Sequence, residues 1–190
     1  MTETDMPWVS QAPGTWVTKV NDLPGCPAIL HSWLSEPGLL TARLEKLASG
    51  PIAVQVLGQT PCIFADDSAP SLCQVSRTMI ARRVLLKAEM VNWVFAETLI
   101  PMAAWQSTTW LRHLGDQPLG AAIQKAGAKQ TSRFEYSALM SSLSLRSVVP
   151  ALSTEDRLMA RRRWHQLNGF ELLVQEVFLP NLVNAITARS

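Results

Sequence analysis

Residues 157–180 read RLMARRRWHQLNGFELLVQEVFLP. Two runs flank Asn168-Gly169, the dipeptide that most readily supplies two consecutive positive-φ residues, so 157–167 and 170–180 are predicted to pair as a tight antiparallel hairpin. Side chains on a strand alternate between the faces of a sheet. Phe170, Leu172, Val174, Glu176 and Phe178 therefore share one face, and Glu176 is a carboxylate on an otherwise apolar surface. An unpaired buried carboxylate is costly; it needs a cation, hydrogen-bond donors or a proton.

The same test applied upstream gives a second anomaly. A strand is predicted from about Arg77 to Ala88, joined through EMVN to a partner running from Trp93 to Ile100, with Pro101 closing the pair. Ile80, Arg82, Val84, Leu86 and Ala88 lie on one side, and Arg82 is the lone charge among them. Arg83, Lys87 and Glu89 lie on the other side, which reads as solvent-facing. Arginine suits a dry carboxylate site because its planar fork donates two parallel hydrogen bonds. Arg82 and Glu176 either pair with each other as a buried structural salt bridge or line a pocket and grip opposite ends of a small polar ligand.

Around these hairpins, IAVQVLGQ (52–59) reads as a strand, GQTPCIFADDSAP (58–70) as a loop and RFEYSALM (133–140) as a shorter strand. From Ala28, helical spacing of apolar residues runs to Leu34, breaks at SEPG and resumes from Leu39, so two short helices meet at Ser35–Gly38. Ser107 is placed to cap a short helix through Leu114, and LGDQPLGAAIQKAG reads as a turn followed by another short helix. Hairpins outnumber βαβ units. The expected class is α+β, with a single mainly antiparallel sheet of about six strands and helices packed on it.

At 190 residues the chain is expected to form one domain with a substantial core. Residues 1–27, rich in Pro, Gly, Thr and Asp, are expected to be an extended lead-in, 28–182 the folded domain and 183–190 a C-terminal tail. A net charge of +2 is too small to argue for nucleic acid or for a membrane surface. The most apolar window, VNWVFAETLIPMAAW, is broken by Asn92, Glu97 and Pro101, so stable membrane insertion is not expected. MTETDMPWVSQAPG holds acidic residues and no apolar core segment, unlike a secretory signal. Cys26, Cys62 and Cys73 lack CxxC spacing, which fits reduced thiols in a cytoplasm. His31, His113 and His165 are scattered, and no metal-ligand spacing or phosphate-cradling glycine loop is present. The chemistry is therefore expected to use side chains alone, without cofactor or metal.

In this order, Arg82-Arg83-Val84-Leu85-Leu86, the hairpin ending in Ile100-Pro101, LGDQPLG and ARRRWHQLNGFELLVQEVFLP resemble the chorismate pyruvate-lyases. That family carries an Arg-x-[VI]-Leu-Leu strand, a Trp-containing hairpin ending in Pro, Leu-Gly-x-x-Pro-Leu-Gly, an Arg-Arg segment and a closing Gly-x-x-Leu-Leu-x-x-Glu-x-Phe-Leu-Pro strand. The likeness runs from about Trp33 to Pro180, and Trp33 and Trp93 coincide with family aromatic positions. It implies an antiparallel sheet with helical flaps over a buried aromatic ligand, no cofactor, and conversion of chorismate to 4-hydroxybenzoate and pyruvate, the entry step to ubiquinone. It places the ligand-binding arginine on Arg82, the glutamate on Glu176, and two flap residues that bind through their backbone on Leu40 and Leu119. Arg82 and Glu176 are the catalytic candidates: Arg82 would anchor the ring carboxylate, and Glu176 would hold the 4-hydroxyl and handle the proton. A cytoplasmic monomer is expected.

The sequence departs from the family at two positions. The family usually has Glu after the site arginine and Arg on the facing strand; here these are Arg83 and Glu97. They read as a swapped cross-strand pair, worth on the order of 0.2–1 kcal/mol. The alternative is a Glu97 that repels the second carboxylate of the substrate. The Arg161–Arg163 run reads as a solvated strand end, or as arginines that draw in a dianion, and Arg133 is a weaker candidate of the same kind. Two other functions stand beside the lyase. One is a non-catalytic binder or sensor of 4-hydroxybenzoate-like aromatic acids, since similar sheets serve as effector domains of transcription regulators, although the lead-in is too short and irregular for a helix-turn-helix. The other is a related lyase acting on another enolpyruvyl or hydroxybenzoate compound.

Overall fold

The computed structural model describes residues 8–11, 15–64 and 78–189. Within them a seven-stranded sheet, every pair antiparallel, is flanked by short helices. The strands are β1 Ile52–Ile63, β2 Thr78–Ala88, β3 Val91–Pro101, β4 Lys129–Gln130, β5 Glu135–Met140, β6 Arg157–Leu167 and β7 Phe170–Phe178. The helices are α1 Trp8–Gln11, α2 Ala28–Leu34, α3 Leu40–Ala48, α4 Met102–Ser107, α5 Thr109–Arg112, α6 Leu119–Lys125, α7 Leu143–Val148 and α8 Pro180–Thr187, with a 3-10 turn at Val20–Asp22. The expected α+β class and antiparallel sheet are what the chain forms, and the two-residue β4 is the strand beyond the expected six.

Strand order is β1-β2-β3-β7-β6-β4, with β5 also on β6. The β6–β7 hairpin closes as the sequence predicts: Leu167 faces Phe170, and Asn168 and Gly169 take φ of 51° and 82°. Both positive angles belong to the turn whose twist matches that of the flanking strands. The β2–β3 hairpin turns through Glu89 and Met90, with Glu89 at φ 53°.

Three local readings need correction. β1 runs through Gly58–Ile63, where the sequence suggests a loop. β1 is an edge strand, the part of a sheet where a proline such as Pro61 is tolerated. The rest of that expected loop, 65–70, lies outside the described residues, as does Cys73. Ser107 does not cap a helix but ends α4, where its hydroxyl donates to the Ala103 carbonyl at 2.8 Å.

The third correction concerns the faces. β2, β3 and β7 are buried on both sides, the pattern of a sheet covered twice. On one face Val84, Leu86, Val94 and Phe178 pack under α2, α3 and α8. On the other, Leu85, Phe95 and Val177 pack under Val9 of α1 and Leu145 of α7. Arg83, expected in solvent, is therefore only 4% exposed. Lys87 is half-buried and Glu89 exposed.

Candidate active site

The register sets the site. One row across the sheet runs Arg82, Thr98, Val174, Arg163 on β2, β3, β7 and β6. The next runs Val84, Ala96, Glu176, Arg161. All eight side chains line one cavity of about 460 Å³. Its lid is built from the beginnings of α3 and α6: Leu40 and Leu119 line it, and a Cβ at Gly120 would lie 3.3 Å from Leu39 Cδ2, so the two helix starts touch. The structure thus brings Arg82, Glu176, Leu40 and Leu119 together. Leu40 and Leu119 open their helices behind Leu39 and Pro118, neither of which supplies a side-chain cap. First-turn N–H groups in that position have no partner inside the helix and are available to a ligand.

Arg82 and Glu176 do not pair. They sit two strands apart and two residues offset, which sets their Cα atoms roughly 12 Å apart. Arg82 donates from Nη2 to the carbonyls of Gly115 (2.9 Å) and Gln117 (3.2 Å), tying the loop that leads into α6 to the sheet. Its Nε is buried without a partner among the described residues. Burial pushes its pKa down, yet the guanidinium stays charged, and the orphan N–H marks a place for an acceptor that the described residues do not supply.

Glu176 pairs with its cross-strand neighbour: Arg161 Nε donates to Glu176 Oε2 at 2.6 Å. Arg161 Nη1 also donates to the carbonyls of Trp33 (3.3 Å), Leu34 (3.1 Å) and Glu36 (2.9 Å). One guanidinium therefore orients the site carboxylate and holds the end of α2 and the turn before α3. Within that turn Glu36 accepts from the Gly38 N–H (3.0 Å) and pairs with Arg43 (3.1 Å).

The Arg161–Arg163 run is not a solvated strand end: the three residues are 2%, 3% and 8% exposed. Arg161 and Arg163 face the cavity, while Arg162 points to the far face and pairs with Glu135 at 2.7 Å. Arg133 is exposed and outside the cavity lining. Sequence reasoning missed Arg161 as the partner of Glu176, although a two-residue turn at 168–169 already sets the two opposite each other. It also missed Thr98, Phe134 and His165 in the walls. Burial, with Arg163 adding to it, pushes His165 down to about 4, so this ring is neutral near pH 7.

Arg83 and Glu97 are cross-strand neighbours, as expected, but on the face away from the cavity. A β-bulge puts Trp93 and Val94 against a single step of β2, between Leu86 and Lys87, and this turns the rest of β3 over. Without it Glu97 would point to the cavity side. Glu97 instead accepts from Arg83 Nε (2.8 Å), the Trp8 and Val9 N–H groups (2.9 and 3.0 Å) and Gln175 Nε2 (3.3 Å). Burial raises its pKa, and the Arg83 charge with the Val9 and Trp8 N–H groups pulls it back toward the ionised form.

One cavity, walled by the sheet and by the starts of α3 and α6, thus holds Arg82 on β2, the Arg161–Glu176 pair on β6 and β7, and Arg163 on β6. The family model described as chorismate lyase matches residues 11–187. The chain belongs to the chorismate lyase family. Among similar relatives, each named "Probable chorismate pyruvate-lyase", that of Cupriavidus metallidurans is 36% identical over 157 residues, covering 80% of this chain and 73% of the relative. That of Aromatoleum aromaticum is 34% identical over 187 residues, covering 91% and 96%. Solved structures share the fold at much lower identity. The effector domain of PhnF from Mycobacterium smegmatis superposes with a TM-score of 0.58 at 13% identity, covering 76% of this chain and 90% of that one. A GntR-family transcriptional regulator from Bacillus cereus does so with 0.52 at 14%, covering 68% and 92%. Among the described residues no helix is long and apolar enough to cross a membrane. Nor does any group of three His, Cys, Asp or Glu there suit a metal ion.

Proposed function

We propose that this member of the chorismate lyase family converts chorismate to 4-hydroxybenzoate and pyruvate, feeding ubiquinone synthesis, with side chains alone. The observation that carries the reading is that Arg82 and Glu176 share one sheet face and one cavity of about 460 Å³, two strands apart and without pairing to each other. Arg82 takes the ring carboxylate, using the Nε–H that has no partner among the described residues. Glu176 reaches the 4-hydroxyl end, held in orientation by Arg161.

The reaction then needs little from the protein beyond orientation and a proton acceptor. The hydrogen on the carbon bearing the hydroxyl leaves as a proton to Glu176. Its electron pair forms the last double bond of the ring, and the neighbouring carbon–oxygen bond breaks. The departing enolpyruvate takes back a proton to become pyruvate. Aromatisation drives the step, and the first-turn N–H groups at Leu40 and Leu119 help bind the ring while the lid excludes water.

The test is to mix the protein with chorismate, follow 4-hydroxybenzoate by absorbance and measure pyruvate with a coupled dehydrogenase. Equal yields of the two products are expected. Tight 4-hydroxybenzoate binding without turnover would instead make this chain a binder of aromatic acids.

A further inference from the structure

The cavity holds a second guanidinium with the same unmet need as Arg82. Arg163 ends the row that Arg82 begins, three strands away, with Thr98 and Val174 forming the floor between them. It is 8% exposed, lines the cavity and leaves Nε buried without a partner among the described residues. Its two neighbours in the run are committed: Arg161 to Glu176 and three carbonyls, Arg162 to Glu135. Arg163 has no carboxylate partner among the described residues; its guanidinium carbon sits 3.4 Å from the centroid of the Phe134 ring. One aromatic face holds a cation in place but does not replace the hydration lost on burial. Among the described residues its wall holds three arginines, Lys129 and one carboxylate, Glu176, so the cavity carries excess positive charge.

We propose that Arg163, seated on Phe134, is a second carboxylate anchor that makes this cavity selective for ring acids bearing two carboxylates. The assignment rests on the chorismate reading. With the ring carboxylate on Arg82 and the 4-hydroxyl at Glu176, the neighbouring enolpyruvyl ether can extend toward β6, where Arg163 meets its carboxylate. That contact is lost when pyruvate leaves, so Arg163 grips substrate and not 4-hydroxybenzoate.

The test compares wild type, Arg163→Met and Arg163→Lys by titrating 3-(1-carboxyvinyloxy)benzoate, which has both carboxylates, and 3-ethoxybenzoate, which has one. Loss of a charge-assisted contact is expected to weaken the dicarboxylate by about 10- to 100-fold in Arg163→Met. The monocarboxylate should bind as before, and KM for chorismate should rise with the dicarboxylate constant. Arg163→Lys keeps the charge and should lose the dicarboxylate only in part, so it reads the same selectivity if the methionine variant does not fold. Equal weakening of both ligands, or unchanged dicarboxylate binding in a folded variant, overturns the proposal. If wild type binds both probes but does not turn over chorismate, the lyase reading fails while the probe comparison still decides the role of Arg163.

Discussion

Arg83 donates from Nε to Glu97 Oε1 across 2.8 Å, on the face of the sheet turned away from the cavity. The reversed charges at these positions thus belong to the packing of the sheet and leave the substrate side untouched. The pair closes over α1, whose Trp8 stacks on Phe95 with ring centroids 5.8 Å apart and lies 4.4 Å under the Arg83 guanidinium.

Glu97→Gln should therefore cost stability, not specificity. It takes the Glu97 charge away from the buried Arg83, a loss of about 3–5 kcal/mol. A lower urea midpoint with unchanged kcat/KM at low temperature is expected. The double reversal Arg83→Glu with Glu97→Arg should restore only part of the loss, because the Trp8 and Val9 N–H groups then face a side chain with no acceptor. A large change in KM for chorismate in a folded Glu97→Gln protein would place Glu97 in substrate binding after all.

Arg161→Met should loosen the lid and the site carboxylate together. It removes the donor to the Trp33, Leu34 and Glu36 carbonyls as well as the cation on Glu176. Helix-end carbonyls left without donors fray, so amide exchange at residues 35–40 should quicken as turnover falls. Since Glu176 keeps 16% exposure, the stability loss should sit near the lower end for a broken buried pair, about 3 kcal/mol. Turnover that fell with unchanged exchange in 35–40 would separate the two roles.

Glu176→Gln and Glu176→Ala separate proton transfer from orientation. An amide can still hydrogen-bond the 4-hydroxyl but cannot accept the ring proton. Glu176→Gln should then lower kcat by about 10²–10⁴ with 4-hydroxybenzoate affinity largely kept. Glu176→Ala should lose both. Near-normal turnover in Glu176→Gln would reduce the carboxylate to an orienting group.

What is legible in the sequence is local. Asn168-Gly169 encodes its turn in two residues, and strand alternation marks Glu176 and Arg82 each as a lone charge on an apolar face, while the register that puts both in one cavity belongs to the assembled sheet. Alternation misplaces Arg83 because it reports two faces but not what covers the second: α1 and α7 come from distant parts of the chain. The Arg161–Arg163 run conceals its division between faces, since three adjacent cations resemble a solvated patch. The bulge at Trp93 and Val94, which turns Glu97 from the cavity, has no sequence signature as local as a turn dipeptide.

His165 gives the chain a defined pH response. Burial, reinforced by Arg163, holds the folded-state pKa at about 4 against an ordinary 6.5, with the nearby Glu176 opposing. As pH falls from about 6.5 to about 4 the unfolded chain takes a proton that the folded one refuses, so stability falls across that window. A single group of this kind contributes a slope of at most about 1.4 kcal/mol per pH unit. His165→Gln removes the titration and should flatten the decline in urea midpoint between pH 6.5 and 4, while leaving stability above pH 7 without this dependence. An equally steep decline in the variant would assign the acid sensitivity to groups other than His165.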